Sequence, residues 1–247
     1  MTNSNINVLI TRPESAGREL QQHLKTQGIV SYCQPFFDYQ SNQALQQLKT
    51  LQNTLTAPIV IFVSVAAVEF ANKLLPIATW AKQDVIAVGS TTQRALKAFG
   101  VDAVVPQQHD SEGLLTLSQL SNVSKKDIVI IRGDGGRELI AEALSIRGAN
   151  VHYFESYRRV WRNLSINALK TWQQQQINCI LVTSNALLEF IVNLIKDSDA
   201  YWKEDCTWIV ASSRIANNAE KMGLKRVINA HGANKKAITS ALLSASR

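Results

Sequence analysis

Long apolar runs are missing from this chain. None reaches the roughly 18–20 residues that cross a bilayer, so no membrane partner is expected. The segment Met1–Asn7 is polar and uncharged, and Val8–Thr11 is too short for a signal-peptide core, so a cytoplasmic location is expected. Cysteine is scarce as well. Cys33, Cys179 and Cys206 are an odd, scattered set, which excludes a disulfide framework or a zinc cluster. His23, His109, His152 and His231 show no ligand spacing, and no metal is expected. There is no Gly-x-Ser-x-Gly elbow and no histidine beside a serine, so the chain lacks the marks of nucleophilic hydrolysis.

What is present is an ordinary globular composition over 247 residues, enough for one large domain or two smaller ones. Apolar residues make up 46% and charged residues 18%. The net charge of +7 fits nucleic acid, a membrane surface or an anionic small molecule. Lysine and arginine are spread along the chain, with one local group at Arg158, Arg159 and Arg162. That spread favours a small anion and argues against nucleic acid.

Short β-branched runs alternate with helical spacings throughout. The expected strands are Asn7–Thr11, Ile29–Pro35, Ile59–Ser64, Val85–Gly89, Asp102–Pro106, Asp127–Gly133, Asn150–Ser156, Cys179–Ser184, Trp208–Ser212 and Arg226–Ala230. Most are continuous apolar runs, the mark of strands covered on both faces. Ala67, Phe70, Ala71 and Leu74 fall at helical spacing, as do Leu187, Ile191, Leu194 and Ile195, and both stripes read as core. The class is α/β, with parallel sheets and crossover helices.

The chain also repeats itself. Gly17-Arg18-Glu19-Leu20 returns as Gly136-Arg137-Glu138-Leu139, and the run from Val63 to Phe70 aligns with Thr183 to Phe190 at a shift of 120. A third match sets Ala87–Gly100 against Val210–Gly223. Three colinear matches point to internal duplication with five strands in each half. Two arrangements satisfy it. Either the chain divides once near Leu120, or its middle forms one lobe and its two ends share the other. The polar stretches Phe36–Gln47 and Tyr157–Gln176 read as crossovers, which suits the second arrangement.

In open parallel sheets ligands bind beyond the carboxyl ends of the strands. The loops there are Thr11-Arg12-Pro13, Ser64-Val65-Ala66, Gly89-Ser90-Thr91-Thr92, Arg132-Gly133-Asp134-Gly135-Gly136, Ser184-Asn185 and Ser212-Ser213-Arg214. Their serines and threonines suit helix capping whatever the function. The same helix starts also hold anions through exposed amides and the helix dipole. Both readings stand. Arg12, Arg132 and Arg214 suit bidentate pairing with carboxylates, or the bracing of loops, and no one of them is expected to be indispensable. The glycine-rich segment matches neither a Walker loop nor Gly-x-Gly-x-x-Gly, and Asp134 reads as the cap of the next helix. Glu69 and Glu189, at equivalent helix positions, read as solvated faces rather than paired catalytic acids.

Taken in order, several segments resemble one family. They are Val8-Leu9-Ile10-Thr11-Arg12-Pro13, Phe62-Val63-Ser64 with Ala66, Val88-Gly89-Ser90-Thr91-Thr92 and Ser111-Glu112-Gly113-Leu114-Leu115. They continue with Ile131 to Glu138, Tyr157-Arg158-Arg159, Val182-Thr183-Ser184 and Ser212-Ser213-Arg214-Ile215-Ala216. The ordered set is similar to uroporphyrinogen-III synthase, departing from it at Val65-Ala66, where the family more often has Pro-Asn. The resemblance implies two similar five-stranded parallel-sheet lobes flanked by helices. Residues 1–36 with 162–247 would form one lobe and 40–157 the other, joined by a two-stranded connector of 36–41 and 156–162, around a shared cleft. It implies a lyase that closes hydroxymethylbilane, a polycarboxylate linear tetrapyrrole, with loss of water and inversion of the terminal pyrrole, without a cofactor. The loop residues above would bind the substrate, and Tyr157 would give a proton to the departing hydroxyl. The alternative for Tyr157 is a connector residue that only packs and bonds. A monomer and a transient hand-over from the preceding pathway enzyme are the remaining expectations. The competing function is a non-enzymatic, two-lobed module binding a small anion.

Overall fold

A computed structural model describes residues 6–42, 45–54, 58–80, 84–135, 138–164, 167–196, 198 and 200–245. Its elements run β1 (Asn7–Ile10), α1 (Glu14–Thr26), β2 (Val30–Cys33), β3 (Phe37–Ser41), α2 (Leu45–Thr54), β4 (Ile59–Phe62), α3 (Val65–Leu74), β5 (Val85–Ala87), α4 (Ser90–Ala98), α5 (Ser111–Leu114) and β6 (Asp127–Gly133). Then come α6 (Leu139–Ile146), β7 (Asn150–Trp161), α7 (Asn167–Gln174), β8 (Cys179–Val182), α8 (Asn185–Leu194), α9 (Tyr201–Glu204), β9 (Thr207–Val210), α10 (Ser213–Lys221), β10 (Arg226–Asn229) and α11 (Lys235–Ala245). The chain divides into two compact units. One holds the residues up to Asp38 and those from Trp161 onward, the other Tyr39–Val160, so the boundary falls inside both β3 and β7.

The first unit carries a parallel sheet in the order β10-β9-β8-β1-β2. Val8 and Ile10 pack with Leu20, Leu24, Leu181, Ile209, Ile238 and Leu242 on one face. Trp172, Trp202 and Trp208 are also wholly buried in this unit. Burying an indole also buries an N–H donor, which needs an acceptor. Trp172 Nε1 donates to Gln34 Oε1 at 2.6 Å and Trp208 Nε1 to the Trp202 carbonyl at 2.9 Å.

The second sheet has the order β3-β7-β6-β4-β5. Alternation sorts its residues cleanly, as the two-residue period of a strand requires. Val60, Phe62, Val129, Ile131 and Phe154 join α3 and α4 in one cluster. Ile59, Ile61, Ile128 and Ile130 join α6 in another. Both faces are therefore apolar, which accounts for the unbroken runs in the sequence.

The second sheet is mixed, not parallel as expected. Phe37–Ser41, read as a polar crossover, is a strand antiparallel to β7: Arg162 N–H donates to the Phe36 carbonyl at 2.9 Å and Asn42 N–H to the Ser156 carbonyl at 3.2 Å. Its polar residues hid an alternation, with Phe37 and Tyr39 on one face and Asp38 and Gln40 on the other. For the same reason β7 continues to Trp161, five residues past the expected end. The expected strand Asp102–Pro106 shrinks to one parallel bridge between Val104 and Ile86. Asp and Pro are poor strand residues at its two ends.

Corresponding residues of the two sheets take the same neighbours. Asn7 lies against Val30 and Val8 against Cys179 in the first, as Asp127 lies against Asn150 and Ile128 against Ile59 in the second. Each equivalence is a shift of 120 positions. Even the glycines that end α1 and α6, Gly28 and Gly148, share that shift and the left-handed backbone, with φ of +73° and +83°.

Candidate functional site

The carboxyl ends of the parallel strands feed the starts of helices in each unit. In the first unit the Thr11 hydroxyl, fully buried, donates to the Leu181 carbonyl at 2.6 Å and ties the ends of β1 and β8 together. Arg12 Nη2 donates to the Ala233 carbonyl at 2.9 Å, bracing the turn before α11. Pro13 precedes α1, whose start has no side-chain cap. Ser184 accepts the Leu187 amide at 3.3 Å, and Ser212 accepts that of Ile215 at 3.5 Å. Ser213 accepts from Asn229 Nδ2 at 2.9 Å, Arg214 is exposed, and Asn185 Oδ1 is buried without a hydrogen-bond partner. A serine cap satisfies one of the several orphan amides at a helix start. Each of these starts therefore still presents donors and the positive end of a dipole to an anion.

In the second unit Ser64 caps α3 through the Ala67 amide at 3.1 Å. α4 starts after Gly89, which has no side chain to cap it; Thr91 is exposed and Thr92 buried. Arg132 is largely engaged within its own loop. It is 8% exposed, its Nη1 donates to Glu138 Oε1 at 2.9 Å, its Nε lies 3.6 Å from Glu155 Oε1, and its guanidinium sits 4.1 Å above the Tyr153 ring. Tyr153 in turn donates to Glu138, and burial with that bond pushes its phenol up to about 12. Arg132 thus braces its own loop. Asp134 corrects an expectation: it does not cap α6 but accepts the Arg159 amide at 2.9 Å, while its own amide donates to the Tyr157 carbonyl at 2.9 Å. Gly135 has a φ of +70°. Gly136 lies outside the described residues.

Tyr157 is where these features converge. The phenol is 7% exposed, its ring packs between Phe70 (5.5 Å between centroids) and Tyr39 (4.7 Å), and its Oη lies 3.3 Å from Ser64 Oγ. Burial raises its pKa above the usual tyrosine value near 10, partly offset by the hydrogen bond to Ser64, so it is a protonated phenol at neutral pH. Gly133 allows this. A Cβ there would lie 2.5 Å from Cε2 and Cζ of the Tyr157 ring, so no other residue fits beneath it unless the ring moves. The sequence reading took Phe70 only as core and missed Tyr39, the other ring packed on this phenol, and the buried Ser156 that precedes it in the chain. The alternation in β3 was the one available signal, and it pointed to Tyr39.

Other chemistry is sparse. Among the described residues no group of three or more His, Cys, Asp and Glu is placed to hold a metal, and no helix is long and apolar enough to cross a membrane. Cys179 and Cys206 are buried free thiols, the first pushed up to about 12 by burial and the second also raised. Glu69 and Glu189 are exposed. A surface groove lined by Arg18, Gln21, Lys25 and Val30 lies at the amino end of β2, away from the helix starts.

The family model described as "Uroporphyrinogen-III synthase HemD" matches residues 18–240. A uroporphyrinogen-III synthase of Escherichia coli (strain K12) is 34% identical over 246 residues, covering 96% of this chain and 100% of that protein. One of Salmonella typhimurium is 32% identical with the same coverage. Among solved structures, a mutant uroporphyrinogen III synthase of Thermus thermophilus aligns with a TM-score of 0.65 at 13% identity over 98% of both chains. The uroporphyrinogen-III synthetase of Helicobacter pylori 26695 aligns at 0.62 and 11%, over 97% of this chain and 99% of that one.

Proposed function

The chain belongs to the uroporphyrinogen-III synthase family, and from that membership we propose how its residues carry the family's reaction. The reaction is the cyclisation of hydroxymethylbilane, with loss of water and inversion of the terminal pyrrole, in tetrapyrrole (haem) biosynthesis. The substrate bears acetate and propionate groups on every ring, and the chain bears a net charge of +7. The helix starts at Pro13, Ser64, Gly89, Ser184 and Ser212 bind these carboxylates, mostly through backbone amides. Thr91, Thr92, Asn185, Ser213 and Arg214 extend the contacts, and Gly133, Asp134, Gly135 and Gly136 form the loop beside Tyr157. Arg12 and Arg132 act mainly by bracing loops.

Tyr157 is the proton donor. As the adjacent pyrrole nitrogen pushes out the terminal hydroxyl, the phenol gives it a proton and it leaves as water. The proton released when the ring closes restores the phenol, so the residue ends as it began. No cofactor takes part, because the pyrrole supplies the electrons. The observation that carries this reading is a buried, protonated phenol held over Gly133 at the start of α3. The remaining task is conformational: left alone the substrate closes without inversion, and holding its ends favours the inverting attack.

We further infer that the matched registers record a duplication, and that residues 36–41 and 156–162 form a two-stranded connector between lobes 1–36 with 162–247 and 40–157. A substrate that closes spontaneously also favours direct hand-over from the enzyme that makes it. The decisive assay supplies hydroxymethylbilane and resolves the macrocycle isomers. The type III isomer is expected to dominate; a product mixture equal to that of buffer alone would leave only the anion-binding reading.

A further inference from the structure

β6 and β7 pair in register from Asp127 against Asn150 to Arg132 against Glu155, and the next pair is Gly133 against Tyr157. Ser156 therefore has no opposite number: β7 carries a one-residue bulge there. Successive strand residues face opposite sides of a sheet, and an extra residue reverses that order. Tyr153 faces the α6 side and Phe154 the α3 side. Unbroken alternation would have sent Tyr157 to the α6 side with Tyr153. Instead it joins Phe154, three positions earlier, in the cluster on α3. The bulge is the reason the phenol meets Ser64.

Ser156 is fully buried, and its hydroxyl lies 3.2 Å from the carbonyl of Ala67 and 3.3 Å from that of Arg132. Its single proton goes to one of these at a time. Ala67 belongs to the first turn of α3, and Arg132 is the last residue of β6 before the bulge. One small side chain thus ties the helix start that carries Ser64 to the strand pair that carries Gly133 and Tyr157. The fold itself does not demand a serine here. The position 120 residues earlier is Phe36, buried against Trp172 and Phe190, after a ladder that stays regular through Cys33.

We infer that Ser156 is a positioning residue for the reaction, fixing the bulge that aims the Tyr157 phenol at the start of α3; this rests on the reading of Tyr157 as proton donor. Ser156→Ala is expected to lower kcat about tenfold, the scale of a modest misplacement of a reacting group, with KM within about twofold. The test is a double-mutant cycle with Tyr157→Phe. In the Tyr157→Phe background the serine has no phenol to aim, so Ser156→Ala should cost no further turnover. An equal loss in both backgrounds would make the serine merely structural, and wild-type turnover of Ser156→Ala would equally overturn the inference. Wild-type turnover of Tyr157→Phe would show itself separately, removing the donor and with it the role of Ser156. Ser156→Cys keeps a side chain of similar shape, slightly larger, with a weaker hydrogen-bond donor. It carries the same cycle should the alanine variant fail to fold, with a smaller kcat loss confined to the background that keeps Tyr157.

Discussion

In the first unit β2 ends at Cys33 and the chain passes on to Phe36 and Phe37, whose rings pack against Trp172, Phe190 and Trp161. In the second, the strand at the same register bulges at Ser156 and delivers Tyr157 onto Phe70, with its hydroxyl at Ser64. Phe70 and Phe190 are equivalent helix positions, and each supports aromatic side chains of its own unit. The two halves thus share a sheet register, serine-capped helices and an aromatic anchor. They differ in a glycine, a bulge and a hydroxyl. Helix starts with unsatisfied amides come with the fold and occur in both units. The proposed proton donor occurs in one, where local departures from the common pattern place it.

The largest effect is expected on stability. Trp172 is wholly buried in the first unit and bonded to Gln34, so Trp172→Ala should cost about 3–5 kcal/mol. If each unit has its own core, amide exchange should quicken in β1, β2 and β8 while β4 and β6 stay protected. Uniform loss across both sheets would make the units one cooperative body.

Gly133→Ala comes next. Its methyl would enter the Tyr157 ring at 2.5 Å, and turnover should fall on the order of 100-fold as the phenol is displaced. Product affinity should change little, measured by titration. Normal turnover with the ring in place would show that this close approach has no bearing on the chemistry.

The smallest effect sharpens the comparison most. Ser64 and Ser184 cap equivalent helices, so replacing either by alanine should cost about 1 kcal/mol. Only Ser64→Ala should alter the pH profile. The Ser64 hydrogen bond lowers the Tyr157 pKa against the larger effect of burial. Its loss should therefore raise that pKa and move the alkaline limb of kcat to higher pH. A matching shift in Ser184→Ala, or none in Ser64→Ala, would break the assignment.

Much of the fold is legible because burial on both faces writes itself into unbroken runs such as Ile128 to Ile131, and a serine marks the starts of α3, α8 and α10. The repeat is legible because the matched registers of the two sheets preserve spacing. What escaped depends on partners distant in sequence. β3 is an edge strand with polar residues on its open face, so its residues alone read as a polar crossover, whereas the family resemblance already implied a two-stranded pairing of 36–41 with 156–162. The bulge at Ser156 leaves no local trace, since an extra residue is visible only against β6. For Arg132 the sequence left carboxylate pairing and loop bracing both open because nothing near it in the chain announces Glu155, and Asp134 looked like a helix cap because its partners Tyr157 and Arg159 lie more than twenty residues away.

The most direct measurement is steady-state conversion of hydroxymethylbilane by Tyr157→Phe, with product affinity determined in parallel. A fall in turnover on the order of 100-fold, the scale of a lost general acid, with product affinity within about threefold is expected. Turnover equal to that of the unaltered chain, from a protein equally well folded, would contradict the assignment of the chemistry to this phenol.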